Sequence, residues 1–130
     1  MGIGPHLCFL HGFCEDSTIW ESTVSHFYKT HTCISIDLPG FGKSKMLEFQ
    51  TIPDIMNAVF QVLRFEKIEN PIIFGHSLGG YIACEYASKY PQNISGIGLV
   101  HSTSMADSEL KKKNRKKAIN FIKKHGTSDF

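Results

Sequence analysis

The chain has 130 residues, 42% of them hydrophobic, and a formal net charge of +2. This length suits one globular domain but is small for a complete enzyme, and no stretch is apolar for long enough to cross a bilayer. The first residues lack the basic and apolar segments of a secretory signal, so we expect a cytoplasmic protein without a membrane partner. The four cysteines include no C-x-x-C pair, which is typical of free buried thiols.

Four potential metal ligands lie close together near the start of the chain: His6, Cys8, His11 and Cys14. Their spacing fits no zinc signature, and residues 6–10 predict a strand, whose successive side chains point to opposite faces. The four ligands therefore cannot converge on one ion, and we expect neither a metal nor an organic cofactor.

Short apolar runs alternate with segments of helical periodicity along the chain. Helix-start residues at positions 16–18, Pro53 in a first turn and Pro91 after the last turn mark helix ends. The predicted elements are, in order, a strand at 6–10, a helix at 17–28, a strand at 32–36, a helix at about 52–66, a strand at 71–74, a helix that begins within 75–80 and ends at 90, a strand at 94–100 and a basic helix within 106–130.

This strand–helix alternation, with nearly continuous apolar strands, is typical of a parallel sheet covered on both faces. We therefore predict an α/β fold, a three-layer α/β/α sandwich with a mainly parallel sheet of about four strands. Ligands of such sheets bind beyond the carboxyl ends of the strands. The polar residues predicted at those ends are His11, Asp37, Ser77 and His101.

The segment Gly75-His76-Ser77-Leu78-Gly79-Gly80 places a serine between two glycines directly after an apolar strand and before a helix. This is the pattern of a nucleophile elbow. A strand that turns at once into a helix forces the serine into strained backbone angles, and Gly75 and Gly79 remove side chains that would collide there. Ser77 is therefore predicted to be a catalytic nucleophile facing the N-terminus of the next helix.

Positive charge is concentrated at the end of the chain, where residues 111–130 hold eight Lys or Arg against one acidic residue. Clustered cations can bind nucleic acid, but apolar residues at helical spacing indicate the solvated face of an amphipathic helix, so we expect no nucleic-acid partner. We divide the chain into a core at 1–105 and this basic amphipathic helix at 106–130.

Three segments resemble the α/β-hydrolase superfamily, particularly its esterase, lipase and lactonase branch. His11-Gly12-Phe13 is similar to the oxyanion-hole loop, residues 37–44 (DLPGFGKS) to the D-x-P-G-x-G-x-S loop, and residues 75–80 to the elbow. The three segments occur in the order of the family. The resemblance implies a truncated α/β-hydrolase fold in which residues 106–130 begin the cap or lid.

The resemblance also implies roles for individual residues. The backbone N–H groups of Phe13 and Leu78 would form the oxyanion hole. His11 would support the loop through ring hydrogen bonds, together with Gly12, and His76 would occupy a variable elbow position without transferring protons. Asp37 precedes the nucleophile, whereas the family order is serine, acid, histidine, so Asp37 is not expected to be the triad acid.

The triad acid and histidine are not identified by the sequence. Only 53 residues follow Ser77, and the resemblance offers Asp107, after the fourth predicted strand, as a candidate acid. We therefore expect a truncated chain of the superfamily.

Two functions follow from these observations. The first is a serine hydrolase that forms an acyl-enzyme on Ser77 with a small carboxylic ester, thioester or lactone. The second is a catalytically inactive module that keeps the fold, binds a small ligand or partner, and pairs its exposed sheet edges in a dimer.

Overall fold

The structure is a computed structural model and describes residues 4–48 and 50–126. Residues 1–3 and 127–130, which belong to the two predicted units, lie outside the described residues. The strands are β1 (His6–Leu10), β2 (Thr32–Ile36), β3 (Ile72–His76) and β4 (Gly96–Val100). The helices are a 3-10 helix (Ser17–Trp20) that leads into α1 (Glu21–Phe27), followed by α2 (Ile52–Phe65), α3 (Leu78–Lys89) and α4 (Glu109–His125).

The four strands form one parallel sheet in the order β2-β1-β3-β4. The chain moves from β1 to β2 on one side and then returns past β1 to add β3 on the other side. The direction of winding therefore reverses between β1 and β3. Such a reversal is where open α/β sheets place their ligands.

Two apolar clusters cover the two faces of the sheet. The alternation of β1 separates them, because Cys8 and Leu10 join the cluster under α2 and α3, while Leu7 and Phe9 pack with Trp20 on the α1 side. Helices on both faces of a parallel sheet confirm the predicted three-layer fold class.

Helix α2 shows how the sequence fixes an element. Thr51 caps its start and exchanges hydrogen bonds with Asp54 in a capping box. Its buried residues lie on one stripe facing the sheet and α3: Ile55, Met56, Val59 and Leu63. Val62 is also apolar but is 37% exposed, because the stripe in contact with the core is narrower than the apolar pattern of the helix.

Helix α4 forms as predicted, with Ser108 as its N-cap, but its apolar residues are not buried. Leu110, Ile119 and Phe121 are all exposed. Its attachment to the core includes Arg115, which hydrogen-bonds to the hydroxyl of Tyr81 on α3. Within the described ranges, no helix is both long enough and apolar enough to cross a membrane.

Candidate active site

Ser77 lies between β3 and α3 in a strained conformation, with φ 49° and ψ −110°. Few residues with a Cβ adopt such angles, and the cost is about 1–3 kcal/mol. Gly75 permits the turn, since a Cβ there would collide with the backbone of Gly79 and Gly80. Gly79 is required for a second reason that the sequence does not show: a Cβ there would strike the carbonyl oxygens of Leu10, at the end of β1, and of His11, which follows it.

The backbone of Ser77 is hydrogen-bonded to residues at the end of β4 and just after it, and also to Gly80 of α3. The N–H of Ser77 donates to the carbonyl oxygen of Val100 at 3.0 Å. The hydroxyl of Ser102 donates to the carbonyl oxygen of Ser77 at 2.8 Å, and the N–H of Gly80 donates to the same oxygen at 3.0 Å. Ser102 was not identified from the sequence, where nothing distinguishes it from its neighbours.

His11 is completely buried after β1 and connects two loops. Its Nε2 accepts a hydrogen bond from the N–H of Leu38 at 2.9 Å, so its Nδ1 carries the hydrogen and donates to the carbonyl oxygen of Gly12 at 2.7 Å. Both ring nitrogens are therefore engaged in holding the loop after β1 against the loop after β2.

Asp37 anchors the loop after β2. One carboxylate oxygen accepts from the N–H of Ser17 and the other from the N–H of Lys43, each at 2.8 Å. Partial burial pushes its pKa upward, but the hydrogen bonds from Lys43 and Ser17 outweigh this effect and leave the pKa below its usual value. Both carboxylate oxygens of Asp37 thus accept backbone hydrogen bonds, one from the start of the 3-10 helix and one from the loop after β2.

The loop after β1 meets the elbow at Gly12. A Cβ on Gly12 would lie 3.2 Å from the Cβ of Ser77 and 3.0 Å from Nδ1 of His76. Nδ1 of His76 is also 2.8 Å from Oε2 of Glu15. The structure therefore brings together Gly12, His76 and Ser77 from the predicted set and adds Glu15, a residue the sequence did not single out.

The two residues predicted to supply oxyanion donors flank this contact. Phe13 follows Gly12, with its ring half-exposed and edge-on to Phe41 at 5.6 Å between centroids. Leu78 is the first residue of α3, where backbone N–H groups have no partner within the helix. The N-terminus of α3 also favours negative charge near Ser77.

Asp107, the candidate triad acid, is bound to Arg115 through both carboxylate oxygens, at 2.5 Å from Nε and 3.4 Å from Nη2. The hydrogen bond from Arg115 lowers the pKa of Asp107 below its usual value. The carboxylate is therefore committed to a guanidinium of α4 in this structure.

Two open grooves border the elbow and the loop of His11. A groove of about 730 Å³ lies between the loops after β1 and β2 and is lined by residues that include Phe13, Phe41 and Met46. A second groove, of about 380 Å³, is lined by residues that include Leu78, Tyr81 and Met105. Both present apolar side chains beside the predicted oxyanion donors. The described part of the chain contains no group of three or more His, Cys, Asp or Glu residues placed to hold a metal.

Known proteins resemble this chain in sequence and in fold. Residues 5–121 match the family model of the alpha/beta hydrolase fold. The chain is 30% identical over 96 residues to abhydrolase domain-containing protein abhd-5.2 of Caenorhabditis elegans, covering 70% of this chain and 22% of the relative. It is 31% identical over 105 residues to the pimeloyl-[acyl-carrier protein] methyl ester esterase of Vibrio campbellii, covering 78% of this chain and 39% of the relative.

Among solved structures, a thermophilic esterase from Thermogutta terrifontis superposes with a TM-score of 0.87 and 25% identity. The match covers 98% of this chain and 48% of the esterase. The chain thus spans less than half the length of each of these relatives. A family match over most of its residues and an elbow in the expected strand–turn–helix setting show that the chain belongs to the α/β-hydrolase fold family.

Proposed function

We propose that this chain carries the nucleophile and oxyanion hole of a serine hydrolase that acts on carboxylic esters, thioesters or lactones. The observation that carries the proposal is the strained Ser77 at the N-terminus of α3, with Gly12 of the facing loop so near that a Cβ on Gly12 would lie 3.2 Å from the Cβ of Ser77. The esterase relatives support carboxylic esters as the substrate class.

In the proposed reaction, Ser77 Oγ attacks the carbonyl carbon of the substrate and transfers its proton to a general base. The carbonyl oxygen becomes an oxyanion, which the N–H groups of Phe13 and Leu78 stabilise. Collapse of the tetrahedral intermediate breaks the bond to the leaving alcohol, thiol or lactone oxygen, which takes up the proton. Water then cleaves the acyl-enzyme and restores the Ser77 hydroxyl.

The test uses the whole protein as its gene encodes it, because the chain spans only part of its relatives. Hydrolysis of p-nitrophenyl acetate and butyrate is measured for the wild type, for Ser77→Ala and for Ser88→Ala. Ser88 is an exposed serine on α3 and serves as the matched control. We expect Ser77→Ala to abolish hydrolysis and Ser88→Ala to preserve it, and a fluorophosphonate probe should add its mass to Ser77.

An unaffected Ser77→Ala variant would remove Ser77 from the reaction. A folded wild type that neither hydrolyses esters nor reacts with the probe would favour the binding module. The engagement of Asp107 by Arg115 is the observation on which this second candidate rests. The same candidate includes a dimer formed through β2 or β4, the edge strands of the described sheet, and a monomer in light scattering would contradict that dimer.

A further inference from the structure

Glu15 connects the loop that follows β1 to the nucleophile elbow. Its Oε2 accepts a hydrogen bond from the N–H of Gly12 at 2.7 Å and lies 2.8 Å from Nδ1 of His76. Gly12 precedes Phe13, and His76 precedes Ser77. One carboxylate oxygen therefore joins the immediate neighbours of a predicted oxyanion donor and of the nucleophile.

The chemistry of this contact fixes the proton on His76. A carboxylate oxygen has no hydrogen to donate, so Nδ1 of His76 must carry the hydrogen and donate it to Glu15. His76 thus presents Nδ1 to the loop. His76 donates a hydrogen bond to the Glu15 carboxylate and is assigned no proton transfer in the proposed reaction.

The contact is more than a solvated surface pair. The side chains of His76 and Glu15 are 23% and 29% exposed, so both are largely shielded from water. Hydrogen bonds between shielded groups are stronger than those between groups at the surface. Glu15 follows Gly12 by only three residues in the same loop, so its side chain reaches back to the N–H of Gly12.

The loop that follows β1 comes close to the elbow at Gly12. A Cβ on Gly12 would lie 2.7 Å from Oε2 of Glu15 and 3.2 Å from the Cβ of Ser77. A side chain on Gly12 would therefore crowd both Glu15 and the elbow, and Glu15 supplies a polar attachment between the loop and the elbow. An oxyanion hole works only if its donors are already placed where the charge develops.

We propose that Glu15 is a positioning residue, which holds the oxyanion loop at its working distance from Ser77 by bonding Gly12 and His76 together. The inference rests on the proposed function, since it concerns the transition state of the Ser77 reaction. Loss of the bridge lets the loop of Phe13 move away from the elbow, and a displacement of about 1 Å at a reacting centre can cost on the order of 10²-fold in rate.

The test compares an oxygen ester with the matching thionoester, in which sulfur replaces the carbonyl oxygen. Sulfur is a weak hydrogen-bond acceptor, so the thionoester gains little from an oxyanion hole. The ratio of kcat/KM for the two substrates reports the oxyanion hole alone, because any loss of folded protein lowers both values equally.

The whole protein is assayed as wild type, Glu15→Ala, Glu15→Gln and Glu66→Ala. Glu66 is an exposed glutamate at the C-terminal end of α2, in the segment that leads to the start of β3 rather than at the carboxyl ends of the strands, and is the matched control. We expect Glu15→Ala to lower kcat/KM for the oxygen ester by about 10²-fold and to lower the ester-to-thionoester ratio at least about tenfold. Glu15→Gln keeps an oxygen acceptor and should stay within about tenfold of the wild type, since neutral hydrogen bonds are roughly half as strong as charge-assisted ones.

An unchanged ester-to-thionoester ratio in Glu15→Ala would overturn the positioning role, even if both rates fall. If that variant does not fold, Glu15→Asp replaces it, because the shorter carboxylate cannot reach both partners, and the same ratio decides. These outcomes concern Glu15 and do not decide the proposed role of Ser77. Retained hydrolysis in Ser77→Ala, or a folded wild type inactive on both substrates, would instead overturn the proposed function and this inference together.

Discussion

Replacing Ser77 by glycine should stabilise the protein relative to replacing it by alanine. Both changes remove the hydroxyl, and they differ only in the Cβ that makes φ 49° and ψ −110° unfavourable. The strain costs about 1–3 kcal/mol, and glycine loses roughly 0.5–1 kcal/mol through the greater freedom of the unfolded chain. The difference leaves Ser77→Gly more stable by about 1 kcal/mol.

The free energy of unfolding of the two variants is measured by urea denaturation with linear extrapolation and a common slope. For a domain of this size, about 1 kcal/mol also corresponds to roughly 4 °C in Tm. A glycine variant that is less stable than the alanine variant by about 0.5–1 kcal/mol, the cost of the added chain freedom alone, would show that the turn stores no strain at Ser77. The argument that the fold holds this residue in an unfavourable conformation would then be refuted.

Three further predictions concern the core, the thiols and the attachment of α4. Met56→Ala should lower the free energy of unfolding by about 2–5 kcal/mol in a urea titration, since Met56 is completely buried between α2 and the sheet. Iodoacetamide should modify the exposed Cys14 quickly and leave Cys8 unmodified until unfolding, as read by mass spectrometry, because burial raises the pKa of the Cys8 thiol. The lowered pKa of Asp107 means that its stabilising bond to Arg115 is fully present above the unfolded pKa and is lost as the pH falls through the folded pKa. An NMR titration should therefore show Asp107 titrating below the usual range, and an unchanged pKa in Arg115→Ala would contradict this cause.

The fold could be predicted from the sequence because each strand is a short apolar run and the first three helices each have a start or stop signal. The errors occur where tertiary pairing decides. The predicted third strand stops at Phe74, but β3 continues to His76, since Gly75 and His76 pair with Leu99 and Val100 of β4. A glycine lowers strand propensity locally, and the neighbouring strand overrides it.

The site could be predicted where a motif fixes the local backbone, as at Ser77. Glu15 could not, because its contact with His76 joins residues 61 positions apart and depends on the pairing of β1 with β3. Helix α4 illustrates another limit. Its periodicity predicts an apolar face, but periodicity alone does not show which surface, if any, that face contacts.

The conformation of Ser77 depends on two hydrogen bonds to residues outside the motif, one to Val100 and one to Ser102. A chain cut after α3 would retain the complete Gly75–Gly80 motif and the hydrogen bond from Gly80 to Ser77, but it would lose the bonds to Val100 and Ser102, so we expect the strained turn to relax. The geometry of Ser77 therefore depends on β4 as much as on the motif itself. A designer who grafts this elbow into another sheet must transplant the neighbouring strand and its following serine as well.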